Sequence, residues 1–309
     1  MSNEDFYVRM MGTASAMPVS GKFQSAQVLC VHGRYFMIDC GEGVQLQMAA
    51  HKVPMMKLDS IFISHIHGDH VFGLFGLLST LGMKGRTAAI NIYGPANLGP
   101  IIKFFLSYYG EGIAFEIRFI PLKGSAPEMI YETKSVEVVA VPLNHGIETY
   151  GYVFREKTPM LNVHKWAIEA FGLKIAEIAA LKRGEDVTRD DGTVITAERC
   201  AYLPFEPRSY AYISDTSPRA ELAGWLKGVT VLYHEATYLA ELADQAAQRH
   251  HSTTLQAASL AIEAGAKKLL IGHYSSRQSD ISLYEKECRS IFPNSFAASE
   301  GDRFDISAE

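Results

Sequence analysis

Between Ser64 and His70 the sequence reads SHIHGDH, three histidines and an aspartate in a chain whose 309 residues include eleven histidines. Imidazole and carboxylate groups are metal donors, and the spacing suits that use. His65 and His67 are separated by one residue, so on extended backbone their rings share a face. Gly68 predicts a sharp turn, after which Asp69 and His70 present a second pair of donors. A single structural zinc would be closed off by four ligands, with cysteine prominent among them. Nitrogen and oxygen donors instead suit zinc, iron or manganese ions that keep positions for water. Three further residues repeat the placement, each beyond an apolar run: His145 after VEVVAVPLN, Asp215 after YAYIS and His273 after KKLLIG. With the first cluster they make seven donors, enough for two ions sharing Asp215 as a bridge.

Donors from distant parts of a chain are assembled where loops leave a rigid sheet, and the flanking sequence supplies such strands. YFMID, SIFIS, AAINIYG, VEVVAVPL, YAYIS, VTVLYHEA and KKLLIG read as strands bounded by Gly, Pro or Asp. GVQLQMAAHKV, VFGLFGLLSTLG, NLGPIIKFFLSYYG and TTLQAASLAIEAG carry apolar faces at helical spacing. Strand-like runs follow one another directly in AFEIRFIPL and MIYETKSVEVVAVPL, which points to an α/β fold with mixed rather than purely parallel sheets. The rhythm breaks from Arg155 to Arg199, where eight Lys or Arg and eight Asp or Glu accompany turn residues. Within it, Ile168, Phe171, Ile175, Ile178 and Ala179 predict one amphipathic helix. The segment reads as an insertion, either a surface excursion or an arm that grips a substrate or partner.

Composition sets the outer bounds. Hydrophobic residues make up 48% and charged residues 20%, values of a folded globular chain. No apolar run approaches the about 18 to 20 residues that span a bilayer, and the acidic, polar start lacks the pattern of a secretory signal. The scattered cysteines, Cys30, Cys40, Cys200 and Cys288, favour reduced thiols in a cytoplasmic protein. With a net charge of −5, whole-chain electrostatics do not attract nucleic acid. An anionic substrate must be held by local clusters or by metal.

ISHIHGDHVFGL, the HG at 145, SDT at 214, HEAT at 234, HST at 251 and IGHYSSR together resemble the metallo-β-lactamase superfamily, and within it ribonuclease Z, the tRNA 3′-processing endonuclease family. The resemblance runs from GTASAMP to GHYSSR, and the HEAT and HST pair is its most discriminating part. It implies an αββα four-layer sandwich with two mixed β-sheets, a single domain over residues 1–309, and a flexible arm inserted at 155–199. It also implies two Zn2+ ions per subunit, one on His65, His67 and His145, the other on Asp69, His70 and His273, bridged by Asp215. Water activated between the ions would attack the phosphodiester, with Asp69 as base, His251 as proton donor to the leaving 3′-oxygen and Glu235 orienting His251. His250 stands beside His251, and the motif alone selects between them. Asp39 either orients a ligand histidine or caps the turn and helix beyond it.

The expected substrate is precursor tRNA, cut to leave a tRNA 3′-hydroxyl, and the expected assembly a homodimer in which the arm serves the partner's site. Lys174, Lys182 and Arg183 are the arm's candidate phosphate contacts, and Lys22 of MPVSGKF is one at the N-terminal loop. The Gly-Pro element usual at the arm's tip is missing, the arm is not net basic, and the loop's usual basic pattern is not reproduced. The alternatives are a small-molecule phosphodiesterase or sulfatase of the same superfamily, which needs no long arm, and a metal-bearing RNA-binding module without catalysis.

Overall fold

The computed structural model describes residues 5–307. The first half of the chain builds one sheet from β1 (Phe6–Gly12), β2 (Ala26–Val31), β3 (Arg34–Ile38), β4 (Leu58–Phe62), β5 (Ile90–Pro95) and β6 (Ile117–Leu122). The chain then crosses to a second sheet with β7 (Glu128–Glu132), β8 (Val136–Pro142) and β9 (Tyr150–Glu156). Four two-residue strands follow in an excursion: β10 (Asn162–Val163), β11 (Val187–Thr188), β12 (Val194–Ile195) and β13 (Ala201–Tyr202). The second sheet resumes with β14 (Ser209–Ile213), β15 (Val231–Glu235), β16 (Lys268–Gly272) and β17 (Ser295–Ala297), and β18 (Arg303–Asp305) returns to pair with β1. Each sheet has seven strands, one run of them antiparallel and the other parallel. Mixed sheets are what the directly succeeding strands predicted.

Alternation along the strands sorts the side chains into three layers of core. Facing each other between the sheets are Val8, Leu29, Phe36 and Phe62 from one side and Val138, Tyr152, Phe154 and Tyr212 from the other. The opposite face of the first sheet, with Val28, Met37, Ile61 and Ile92, packs on α1 (Val44–Ala50), α2 (Gly68–Met83) and α3 (Leu98–Tyr109). Helices α4 (Lys165–Phe171), α5 (Ile175–Lys182) and α6 (Ala197–Cys200) belong to the excursion. The outer face of the second sheet is covered by α7 (Glu221–Trp225), α9 (Thr254–Glu263) and α10 (Ser282–Arg289), with α8 (Ala243–Gln248) preceding the HST stretch. The order helix, sheet, sheet, helix follows, since each sheet is apolar on both faces. Among the described residues no helix is long and apolar enough to cross a membrane.

Two local expectations are corrected. Gly68 is not a turn: it opens α2, with His67 as the cap residue, so Asp69 and His70 sit on the first helical turn. A side chain at Gly68 would meet the ring of exposed Phe72, which would have to swing aside. The arm's single amphipathic helix is two. Gly172, at φ 57°, ends α4 in the left-handed conformation that glycine adopts without strain, and α5 starts afresh after Lys174. Ile168 and Phe171 pack on a small core of Ala167, Leu173, Leu181, Ile195, Ala197 and Cys200, whereas Ile175 is 88% exposed. The excursion thus folds on its own apolar residues.

Direction along the strands decides where everything else lies. β8 and β14 are both antiparallel to β9, so they point the same way, and β14, β15 and β16 run parallel. His145, Asp215, Glu235 and His273 therefore all emerge at one end of the sandwich. The excursion leaves from the far end of β9 and returns at the start of β14, the opposite end.

Candidate metal centre and active site

Seven donors meet where α2 and the end of β4 face the ends of β8, β14 and β16. His65 Nε2 lies 3.1 Å from His67 Nδ1, and His145 Nε2 lies 3.3 Å from the same atom. Beside them, His273 Nε2 is 3.3 Å from Asp69 Oδ2 and 3.4 Å from His70 Nε2. Asp215 stands between the two groups with one oxygen for each. Its Oδ2 is 3.7 Å from His65 and 4.0 Å from His145, and its Oδ1 is 3.5 Å from His70 and 3.3 Å from His273.

His65, His70, His145 and His273 are each turned by a partner on the other nitrogen, a common arrangement around metal sites. His70 Nδ1 donates to Asp39 Oδ2 at 2.7 Å, and His145 Nδ1 donates to the His250 carbonyl at 2.9 Å. Ser64 Oγ donates to Asp39 Oδ2 and accepts from His65 Nδ1, at 2.8 and 3.0 Å. Asp39 also takes the Ser64 amide and the Tyr212 hydroxyl, which fastens the second sheet to the first. Of the two roles open to Asp39, the structure selects orientation: α1 receives no side-chain cap. The loop holding Asp39 is pressed against α2, and a Cβ at Gly73 would fall 2.0 Å from the Gly41 carbonyl oxygen.

The protonation states conflict without a cation. Burial, then the charges of His70, His145 and His67, hold the His65 imidazole well below its usual range. Burial opposes charge on His70 as well, yet Asp69, Asp215 and Asp39 hold it well above. Burial raises Asp69, but His70 and His273 outweigh it and hold the carboxyl low. Two divalent ions would resolve this by taking the imidazoles neutral and the carboxylates ionised. Zinc–nitrogen bonds of about 2.0–2.1 Å place tetrahedral ligand atoms about 3.3 Å apart, the spacing found within both donor groups. The residues fit two such ions.

Above the donors is a second pair. Glu235, wholly buried, accepts at Oε1 from His251 Nδ1 (2.9 Å), the Thr216 amide (3.1 Å) and the Ser252 amide (2.9 Å). Its Oε2 accepts from the Thr237 amide and hydroxyl at 3.0 and 2.7 Å. Burial alone would raise this carboxyl, but the His251 charge and these bonds bring it to about 2. Burial likewise disfavours charge on His251, and Glu235 more than offsets it, so the imidazole rises to about 9. With Nδ1 committed, Nε2 is left for the cleft of about 660 Å³ that Asp69, Asp215 and His273 also line. His250 offers the centre its carbonyl, and its ring stands edge-on to the His145 ring with centroids 6.5 Å apart.

The remaining candidates lie elsewhere. Lys22 pairs with Glu300 at 3.5 Å and lines a neighbouring recess, not this cleft. Lys174, Lys182 and Arg183 are on the excursion, and Arg183 is bound to Glu185 through two nitrogens at 2.9 and 2.6 Å. Sequence reasoning missed Thr237, whose hydroxyl accepts from His273 Nδ1 at 2.8 Å while donating to Glu235. It is the last residue of HEAT, the one signal that pointed to it. Arg249 and Arg277, at the cleft wall, were also missed.

The sequence model of the family described as Anti-Pycsar protein Apyc1 matches residues 6–103, about a third of the chain. Ribonuclease Z of Cytophaga hutchinsonii is 42% identical over 304 residues, which cover 98% of this chain and 97% of the relative. The chain belongs to the ribonuclease Z family. Among solved structures, human tRNase Z, short form, superposes with a TM-score of 0.70 at 23% identity, covering 97% of this chain and 99% of that one. The metallo-β-lactamase fold protein YhfI from Bacillus subtilis superposes with a TM-score of 0.67 at 19% identity, covering 97% and 99%. This member of the ribonuclease Z family has the metallo-β-lactamase fold, the αββα sandwich that the motifs implied.

Proposed function

We propose that the chain is a zinc-dependent endoribonuclease that removes the 3′ trailer from precursor tRNA and leaves a 3′-hydroxyl on the tRNA. The observation that carries the reading is the Glu235–His251 pair, with the free Nε2 of His251 facing a cleft floored by two joined donor groups. His65, His67 and His145 would hold one Zn2+, Asp69, His70 and His273 the other, with one oxygen of Asp215 on each. With two such ions bound, the site would supply an activated water and offset the charge of the phosphate. Asp69 takes the proton of the attacking water at its carboxylate. His251 gives its Nε2 proton to the leaving 3′-oxygen, and Glu235 favours the charged form of the ring beforehand. Thr237 fixes both Glu235 and His273 and so ties the acid to the ion site.

The arm and the site occupy opposite ends of β9 and β14. Five residues of strand advance about 17 Å, so an arm rooted at the far end is poorly placed to present RNA to its own cleft. This supports a homodimer in which each arm, residues 155–199 of the single domain, serves the partner. Exposed Phe72 on α2 and Phe104, Tyr108 and Tyr109 on α3 offer apolar surface for such an assembly. Phosphate contacts by Lys174 and Lys182 belong to this reading. Arg183 and Lys22 must first exchange their carboxylate partners. A cytoplasmic location accords with four unpaired cysteines.

The test is cleavage of a 3′-extended precursor tRNA beside a small aryl phosphodiester, with wild type and Asp69→Ala. The expected result is about two zinc ions per subunit and trailer release that Asp69→Ala abolishes. Turnover of the ester with the tRNA left intact would assign a small-molecule phosphodiesterase instead.

A further inference from the structure

Four of the arm's eight cations are already held by carboxylates. Arg189 clasps Glu177 at 2.7 and 3.0 Å and donates to the Phe171 carbonyl at 2.8 Å. Arg183 is held by Glu185, Lys165 faces Glu169 at 3.8 Å, and Lys157 is paired with Glu132. Cations already neutralised release few counterions when they meet a phosphate backbone. Lys174 and Lys182 remain for phosphate, and the arm has a second source of grip on RNA.

That source is a ladder of rings. The pairing of β10 with β13 sets Asn162 opposite Tyr202 and Val163 opposite Ala201, and His164 follows as the cap residue of α4. The His164 ring consequently lies 4.6 Å from Tyr202, tilted by 33°, and 6.0 Å from Trp166 at 24°. The two outer rings are open to solvent, Trp166 at 45% and Tyr202 at 44% exposure. The guanidinium carbon of exposed Arg199, on α6, is 5.9 Å from the Trp166 ring centre, and Arg199 forms no ion pair among the described residues. Rings held open by backbone pairing stack on nucleobases whatever the base, since each has a π-face. A guanidinium without a carboxylate is suited to the phosphate beside such a base.

We propose that Trp166, His164 and Tyr202, with Arg199, form the surface by which the arm holds RNA, stacking an exposed nucleobase of the tRNA body. The proposal rests on the reading of the chain as a tRNA-cutting enzyme. Aromatic stacking here shares the work that a basic arm does through phosphate contacts.

The test uses the full-length, zinc-loaded protein. The chain has two tryptophans, so Trp225→Phe leaves Trp166 as the sole reporter, and titration with mature tRNA is expected to quench its fluorescence. Trp166→Ala is expected to raise KM for precursor tRNA roughly tenfold with kcat retained, and Trp166→Phe to restore it. Arg199→Ala is expected to raise KM as well and to reduce the salt dependence by about one phosphate contact. Turnover of the aryl phosphodiester stays the same in all three, which excludes a folding defect. Unchanged fluorescence and KM, in an enzyme that cuts precursor tRNA, overturns the ladder and leaves the ribonuclease reading standing. Dissociation of the assembly by Trp166→Ala, seen by light scattering, overturns it in favour of a subunit contact. A wild type that neither binds nor cuts tRNA overturns both.

Discussion

In the proposed mechanism His251 and Glu235 divide one task between them. A buried carboxylate with five donors stays ionised, and its charge holds the imidazole protonated where the leaving oxygen needs a proton. The demand for that proton depends on the leaving group. A ribose 3′-oxygen departs as a strongly basic alkoxide, whereas an activated phenolate departs unaided. His251→Ala should therefore lower kcat on precursor tRNA by roughly 10²–10⁴-fold, the usual worth of a general acid, and on an aryl phosphodiester by less than tenfold. Equal losses on both substrates would show that the ring acts only as packing. Neighbouring His250 serves as a contrast: its carbonyl and the edge of its ring flank His145, not the cleft, so His250→Ala should change both rates alike, without the selective loss on tRNA.

At the scale of elements, legibility followed the kind of signal each residue carries. The seven donor residues were readable because they cluster at four places just beyond an apolar strand, and a strand's end is marked in sequence by the change from apolar to polar. Asp39 was half readable: its position beyond a strand suggested a role, and only the approach of α2 and β14 showed which. Thr237, Ser64 and Tyr212 also act through partners far away in sequence, His273 for the first and Asp39 for the others, and of the three only Thr237 is marked, by the HEAT motif. The arm's helix was misread because apolar residues at 168, 171, 175 and 178 keep a helical period across Gly172, while the backbone there turns left-handed. The same arm has a pH-sensitive clasp. Bonds from Arg189, then from the Lys174 amide, bring the Glu177 carboxyl from 4.5 to about 2. A folded value below the free one stabilises above pH 4.5 and is lost as pH falls toward 2. Amide exchange in α5, corrected for its intrinsic rate, should therefore quicken as pH falls through that window. In Arg189→Met it should be fast throughout, and a parallel pH response in both proteins would refute the clasp.

For the whole molecule, the separation of arm and cleft makes a sharp expectation. A subunit with an intact arm and Asp69→Ala, mixed with a subunit lacking the arm, should regain tRNA cleavage although neither cuts alone. Failure to complement, with both proteins folded and mixed dimers formed, would place the arm's action within its own subunit. The centre itself has a consequence for the order of events in folding. Each half of the chain builds one sheet, yet both donor groups draw on both halves: His145 joins His65 and His67, and His273 joins Asp69 and His70. Neither sheet alone can complete either set. In the proposed zinc-loaded protein, capture by a complete donor set would therefore come after the sheets have closed on one another, and a bound ion would resist their separation rather than the loss of strands from either one. The catalytic centre doubles as a latch between two halves that must already have met.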